Sequence, residues 1–510
     1  MTDVPRSARL AGVVAVAAAL VHALVYLGWM LDDAYISFRY ARNLASGAGL
    51  VFNVGERVEG YTNFLWVLLC AAGIRVGVAP ELVAPALSLV SLVALVLVAR
   101  SASRFIASRS DGDAPLAGVA AMTVIAATQS FALYGSNGLE TVFFSLWIAL
   151  GAYSMVARWP LRFAVFTALA FLTRPEAGLV GVAGVALFAL DARRDSSRVK
   201  ALVTAVGALS AIVAPYLAWK LSWFGALLPN TLHAKPGDLA VGARYVLIGA
   251  APLVGVIALA VRDATRADAK PRREERELLG LGLALLVAAA IEGGDWMPAF
   301  RMLAPATAVL AMALDGAITR ALSSKGILRS LAVASLALLV AWNGYRTHAD
   351  LQVIPVVARH EAHLVAIATA MRRVGVRSVA LTDIGRVAWI ADNAVVTDLG
   401  GLTDATIASG PGALLAKRVS PAYMAERDPE VLLINSGLPV RAMPGSPLPA
   451  VAPMWKVERS VLATPWFQTR VRYACSMVVN EGHFVHVFER VDLAPRMATA
   501  TPVCAPLVAR

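Results

Sequence analysis

Charge is scarce in this sequence. Asp, Glu, Lys and Arg make up only 16% of its 510 residues, and 58% are hydrophobic. Soluble domains carry roughly a quarter charged residues, and a mean hydropathy of +0.66 excludes that class. Cysteine is also scarce. Cys70, Cys475 and Cys504 show no metal-ligand spacing, and pairing of the last two in an oxidising compartment stays open. HExxH, P-loop, GxSxG and CxxC patterns are missing, so zinc-protease, NTPase, serine-hydrolase and dithiol chemistries have no support. There is no low-complexity segment, no internal repeat and no cytoplasmic nucleotide-sugar domain, which argues against a soluble nucleotide donor.

What the chain does have is a series of apolar runs long enough to cross a bilayer, about 17–25 residues each. The first, Leu10 to Leu31, follows Arg6 and Arg9, is longer than a signal-peptide core and lacks a cleavage site, which predicts an uncleaved helix with its N-terminus in the cytoplasm. Further spans are expected near 82–99, 114–133, 139–157, 162–173, 177–190, 201–219, 241–260, 278–292, 300–319 and 328–343. The net charge of +12 sits mostly in short loops (100–109, 158–162, 193–200, 262–277 and 319–329), which the positive-inside rule assigns to the cytoplasm, not to nucleic-acid binding. That parity leaves 61–78 as a juxtamembrane helix, not a span, and makes about eleven spans in all. After about residue 344 the texture changes. Strand-like SVALTD, NAVVTDL, EVLLINS and HFVHVFER alternate with helical stretches such as HEAHLVAIATAMRRVG, which predicts a small extracytoplasmic α/β domain over 345–510 behind a membrane domain over 1–344.

The unusual polar residues gather in the loops of one membrane face. These are Asp32 and Asp33 in LDDAYISFRYARNLAS, then GERVEGYTN (55–63), GSNGLET (135–141), TRPEAG (173–178), LPNTLHAKPG (228–237) and EGGDWMPAFR (292–301). Any one of them is explained as well by a cap or a turn. Six on one face predict a shared cavity. It would hold the carboxylates Asp32, Asp33, Glu140, Glu176, Glu292 and Asp295 beside the cations Arg39, Arg174, His233, Lys235 and Arg301. Carboxylates deprotonate hydroxyls or hold a divalent cation. Cations bind a phosphate leaving group. That combination at a lipid–water boundary suits transfer of a group from a lipid phosphate.

DDAYISFRYARNLASGAGLVFNVGERVEGYTNFLW closely resembles the first outer loop of a GT-C type membrane glycosyltransferase family, which includes the terminal arabinofuranosyltransferase of mycobacterial cell walls and relatives named as flagellar motor control proteins. GLET, LTRPEAGL, LPNTLHAKPG and GGDWMPAFRMLAP resemble its later motifs in the same order. The likeness spans roughly 10–320, with a weaker echo in TDIGRVAWIADNAVVTDLGGLTD (382–404). It implies a multi-span all-α bundle, a catalytic acid in the first outer loop, a polyprenyl-phosphate sugar donor and a cell-wall or glycolipid acceptor. It also implies inversion at the anomeric carbon.

The spacing from Asp33 to Arg39 resembles the acid motif of oligosaccharyltransferase catalytic subunits, and favours Asp33 as base with Asp32 as its support. Lys235, His233, Arg174, Arg301 and Arg39 are the candidate phosphate binders; Glu140, Glu176, Asn63, Asn230, Asp295 and Trp296 are candidate sugar or acceptor contacts. A cation (Mg, Mn or Ca) on Asp32 and Asp33 stays open, as do the donor sugar and the oligomeric state. Two other classes stay open to such a chain: a lipid-linked substrate transporter and a noncatalytic motility or assembly factor. The absence of an inverted repeat and the retention of the acid pair speak against them.

Overall fold

The computed structural model describes residues 6–109, 116–265, 273–443, 446–501 and 504. The start of the span expected at 114–133 and the middle of the basic loop at 262–277 lie outside these. Helices come first: α1 (Arg6–Leu24), α2 (Asp32–Ala45), α3 (Phe64–Arg75), α4 (Pro80–Ala107), α5 (Val119–Ala127), α6 (Gln129–Leu133), α7 (Thr141–Val156) and α8 (Pro160–Thr173). They continue as α9 (Gly178–Arg194), α10 (Val199–Phe224), α11 (Asn230–Ala234), α12 (Leu239–Ala250), α13 (Val254–Thr265), α14 (Arg273–Ile291), α15 (Ala304–Ser323) and α16 (Ile327–Arg373).

Among the described residues, six helices are long and apolar enough to cross a membrane, and four shorter apolar ones run 10–17 residues. The chain is a multi-pass membrane protein. The expected spans fall largely on helix among the described residues, but the first ends at Leu24 and the one at 114–133 breaks at Thr128 into α5 and α6. The 12 residues of α3 reach about 18 Å at 1.5 Å per residue, short of a hydrocarbon core of about 30 Å.

At the bundle's centre, α15 is almost wholly buried. Its run of Ala304, Ala306, Ala308, Ala311 and Ala313 lets neighbours approach closely, as small residues do in membrane bundles. Following chain direction, α7 starts and α8 and α14 end at one end of the bundle. At the other end Arg158 bridges Asp191 (2.7 Å) and Glu277 (2.6 Å), and Arg320 bridges Glu275 (2.8 Å) and Asp263 (3.0 Å). The basic connectors there are tied to carboxylates.

The 47-residue α16 passes straight through the domain boundary expected at 344/345, so bundle and α/β layer share one helix. Beyond it lie β1 (Ser378–Leu381), α17 (Ile384–Ile390), β2 (Val395–Asp398), α18 (Ala405–Ser409), β3 (Val431–Ser436), β4 (Val471–Asn480) and β5 (His483–Arg490). The sheet order is β2-β1-β3-β5-β4, with β1 parallel to β2 and β3, and β5 antiparallel to β3 and β4. Four of these strands fall on the four runs read from the sequence; β4 was not anticipated. Cys475 on β4 is disulfide-bonded to Cys504.

The α/β layer is held on the first outer loop. Asn53 exchanges hydrogen bonds with the Val396 backbone (2.8 and 3.0 Å), and Arg42 donates to Trp389 O at 2.7 Å.

Candidate active site

Helix α2 begins with its two carboxylates, a placement favoured by the positive end of the helix dipole. Their environments differ. Both oxygens of Asp32 accept backbone N–H groups, Gly385 on Oδ2 at 2.8 Å and Arg386 on Oδ1 at 2.7 Å. Burial pushes the Asp32 carboxyl up to about 7, with Asp383 and Asp33 adding to the rise and the two N–H donors opposing it.

Asp33 lies instead in the field of side chains from three other segments. Burial raises its carboxyl above the ordinary range; Lys235 and Arg301 counter this, and Asp295 and Asp383 reinforce it. Both carboxyls are thus raised, and the difference lies in their partners: Asp32 is fixed by two backbone donors, whereas Asp33 answers to side-chain cations, a setting that suits proton abstraction better.

A strained turn carries Arg301. Ala299 and Phe300, neither a glycine, both adopt the left-handed region (φ 59° and 50°), a conformation that costs of order 1–3 kcal/mol per residue. Tyr134 donates to Pro298 O (2.8 Å), Ser130 donates to Ala299 O, and the Phe300 ring lies edge-on to Tyr245. Arg301 then meets Asp295 at 2.6 Å. Burial would raise the Asp295 carboxyl, but Arg301 and Lys235 hold it below its ordinary value.

Next to this pair Arg174 bridges Glu140 (2.9 Å) and Glu176, while Glu140 also accepts Asn63 Nδ2 at 2.8 Å. A cleft opens beside them, polar along Arg174, Glu176, Glu292 and Arg301 and apolar along Phe144, Leu285 and Met302. Burial and the Glu176 charge bring the Glu292 carboxyl up to about 7, against the pull of Arg174.

The structure thus brings together Asp33, Lys235, Arg301, Asp295, Arg174, Glu140, Glu176 and Glu292. It leaves other candidates outside. Arg39 was expected on the donor phosphate. It is 3% exposed, and its guanidinium donates to the carbonyls of Phe52 (2.8 Å), Ala388 (2.7 Å) and Ala394 (2.8 Å) and stacks on the Phe52 ring. It fastens the α/β layer to the first loop. Asn230, expected on sugar, donates to Gly401 O and Leu402 O and does the same. Trp296 is 68% exposed with no ring partner among the described residues. His233 is exposed, and its carbonyl accepts Lys417 Nζ at 3.0 Å.

Each Asp32 oxygen accepts one backbone N–H, and among the described residues no three His, Cys, Asp or Glu side chains converge as a ligand set.

Sequence reasoning missed the α/β layer's own contribution. Asp383, between β1 and α17, acts on both acids of α2 and is bonded by Asn435 (3.0 Å) and paired with His360 (3.5 Å). The only signal was the TDIGR stretch, whose place beside Asp32 depends on a contact more than 350 residues long in sequence.

Comparison with known proteins agrees with this architecture. ArnT from Cupriavidus metallidurans, in the apo state, superposes with a TM-score of 0.59 at 14% identity over 98% of this chain and 100% of that one. The form bound to undecaprenyl phosphate gives 0.56 at 13% over 98% and 99%. The archaeal oligosaccharyltransferase AglB from Archaeoglobus fulgidus, in complex with an inhibitory peptide and a dolichol-phosphate, gives 0.51 at 13% over 84% and 69%.

The chain shares its fold with ArnT and AglB.

In sequence it resembles the "Terminal beta-(1->2)-arabinofuranosyltransferase" of Mycobacterium tuberculosis, 33% identical over 41% of this chain and 35% of that relative. The protein of the same name from Corynebacterium glutamicum is 27% identical over 55% of this chain and 47% of its own length. The alignments therefore span less than half of either relative. A domain of unknown function (DUF8728) matches residues 355–480, most of the α/β layer.

Proposed function

We propose that the chain is a membrane glycosyltransferase that moves a sugar, arabinofuranose by its relatives' names, from a polyprenyl-phosphate donor to a cell-wall or glycolipid acceptor. The observation that carries this reading is the setting of Asp33, a half-buried carboxylate in the field of Lys235 and Arg301 while its neighbour Asp32 is held by backbone.

In the reaction Asp33 takes the proton of the acceptor hydroxyl as its oxygen bonds to the anomeric carbon. The bond from that carbon to the phosphate oxygen breaks on the opposite face, and the configuration inverts. The phosphate leaves as a dianion beside Lys235 and Arg301, with Arg174 next in line. It needs no separate acid, because it is already a weak base. The apolar side of the cleft suits the first prenyl units. Glu140 holds Arg174 and Asn63 in place; Glu176, Glu292 and Asp295 tune the cations. Asp32 is a positioning residue.

The Cys475–Cys504 bond and the basic connectors at the far end of the bundle favour a cell-membrane orientation with site and α/β layer outside the cytoplasm.

The test is release of free lipid phosphate from a synthetic polyprenyl-phosphate arabinofuranose by the purified chain, with transfer of the sugar to an arabinan oligosaccharide. Uptake of the donor without cleavage would refute the transferase and favour transport.

A further inference from the structure

Asp33 has neighbours of two kinds. Lys235 and Arg301 belong to the membrane domain, whereas Asp383 belongs to the α/β layer. In a single displacement the acceptor oxygen enters opposite the leaving phosphate. With the phosphate on the cations, the acceptor comes in along the α/β layer.

That side carries a hydrogen-bonding surface, where the hydrogen bond and charge of Asp383 outweigh burial and raise the His360 imidazole above its ordinary value. The rings of His360 and His483 stack at 4.9 Å with 29° between planes. Below them the buried Asn435 joins the group: its amide nitrogen donates to Asp383 Oδ2 and Thr382 Oγ1 (3.0 and 2.9 Å), and its carbonyl oxygen accepts His483 Nε2–H at 3.0 Å. Asp383 itself keeps 40% of its side chain exposed, so its carboxylate is fixed from beneath and open in front. His360 Nε2 lies 3.5 Å from Asp383 Oδ2, and its Nδ1 is buried. Burial lowers the His483 imidazole below its ordinary value, the neighbouring His360 adding to the effect and Asp383 opposing it.

A fixed carboxylate, 40% exposed, beside a flat ring stack forms a surface for vicinal hydroxyls and the apolar face of a sugar ring. Like-signed acids nearby, Asp32 and Asp33, discourage an anionic ligand.

We propose that Asp383, His360 and His483, positioned by Asn435, form the subsite for a neutral sugar of the acceptor glycan. This rests on the transferase reading, and it gives the α/β layer, whose residues 355–480 match a domain of unknown function, a role in acceptor recognition.

The experiment uses the full chain in lipid nanodiscs, a synthetic polyprenyl-phosphate arabinofuranose and an octyl arabinofuranosyl trisaccharide as acceptor probe. Two rates are followed: transfer to the trisaccharide, and hydrolysis of the donor to water without acceptor. His483→Ala should raise the acceptor KM roughly tenfold, the scale of one or two lost hydrogen bonds and a stacking face. Donor hydrolysis should stay within about twofold of the wild type. Asp383→Asn should also raise the acceptor KM. His483→Phe keeps the platform and should recover part of the loss, which a merely destabilising change would not do. Unchanged acceptor KM in both His483→Ala and Asp383→Asn, with donor still cleaved, would overturn the subsite and leave the transferase standing. A wild-type chain that cleaves no donor would overturn both.

Discussion

Gly385 lies directly against the backbone of Asp32: a Cβ built on the glycine would fall 1.9 Å from the Asp32 carbonyl oxygen and 2.8 Å from its Oδ2. No side chain fits between them, and the contact is made by rigid backbone. The same approach lets the Gly385 N–H donate to the Asp32 carboxylate.

Gly385→Ala should therefore push α17 away from α2 and release Asp32. Overpacking of this kind costs about 1–3 kcal/mol. The expected outcome is a lower melting temperature together with a fall in transfer rate, read on the same nanodisc sample. Wild-type transfer in a stable Gly385→Ala protein would show that Asp32 need not be anchored.

Asp33→Asn keeps size and shape and removes only the proton acceptor. General-base catalysis contributes roughly 10²–10⁴ in rate, and kcat for sugar transfer should fall by that order while binding of free polyprenyl phosphate persists. Asp32→Asn, which leaves one carbonyl oxygen to accept a backbone N–H, should cost much less. An Asp33→Asn enzyme with a wild-type kcat would remove Asp33 as base.

The parts of this site carried by local patterns were legible in the sequence. Asp33, Lys235 and Arg301 stand in short motifs whose residue types declare their chemistry, and strand patterning placed β1, β2, β3 and β5. Parts that depend on distant packing were not. The interval from Asp33 to Arg39 cannot tell a guanidinium facing a phosphate from one facing the carbonyls of Ala388 and Ala394, because those carbonyls lie some 350 residues away. Asp383 was invisible as a site residue for the same reason. Strand β4 hid behind irregular patterning, interrupted by two register shifts against β5. Its one local sign was the short Glu481–Gly482 link to β5, where Gly482 takes φ +88°.

The pH profile of transfer should report Asp33 in a defined direction. The base works only when deprotonated, and burial with Asp295 and Asp383 holds its carboxyl above the ordinary range. The acid limb of kcat/KM should therefore fall at a pH above that of an exposed aspartate. Asp295→Asn removes a repelling charge and frees Arg301 from its 2.6 Å partner. Both effects favour the charged base, so the limb should move to lower pH. Lys235→Gln should move it up. Movement of either limb in the opposite sense would contradict this electrostatic arrangement.

Arg39 should behave as a structural residue. Removing its guanidinium strands three carbonyls in the buried joint between first loop and α/β layer. A stranded buried acceptor costs about 1–3 kcal/mol. Arg39→Ala should lower stability by about 3 kcal/mol or more, seen in chemical denaturation of the solubilised protein, whereas Arg301→Ala should mainly weaken polyprenyl-phosphate binding. Loss of lipid-phosphate affinity in a fully stable Arg39→Ala protein would return Arg39 to the phosphate site.

The Cys475–Cys504 bond offers the last check, because its effect is separable from the site. It closes a segment 29 residues long, including the hairpin of β4 and β5. In the chain-entropy account such a loop is worth about 3.6 kcal/mol. Cysteine 475 is buried on β4, at the far edge of the sheet from β2, whereas Asp383 follows β1. Cys504→Ser should therefore loosen the β4 edge first. The expected result is earlier proteolysis of the hairpin and a lower melting temperature, matched by wild-type protein treated with reductant and unchanged when reductant is added to the variant. His483 begins β5, so the acceptor KM should rise along with this loosening while donor hydrolysis holds. If reductant leaves wild-type stability untouched, the bond is not formed in the folded protein, and an extracytoplasmic position for the α/β layer loses that support.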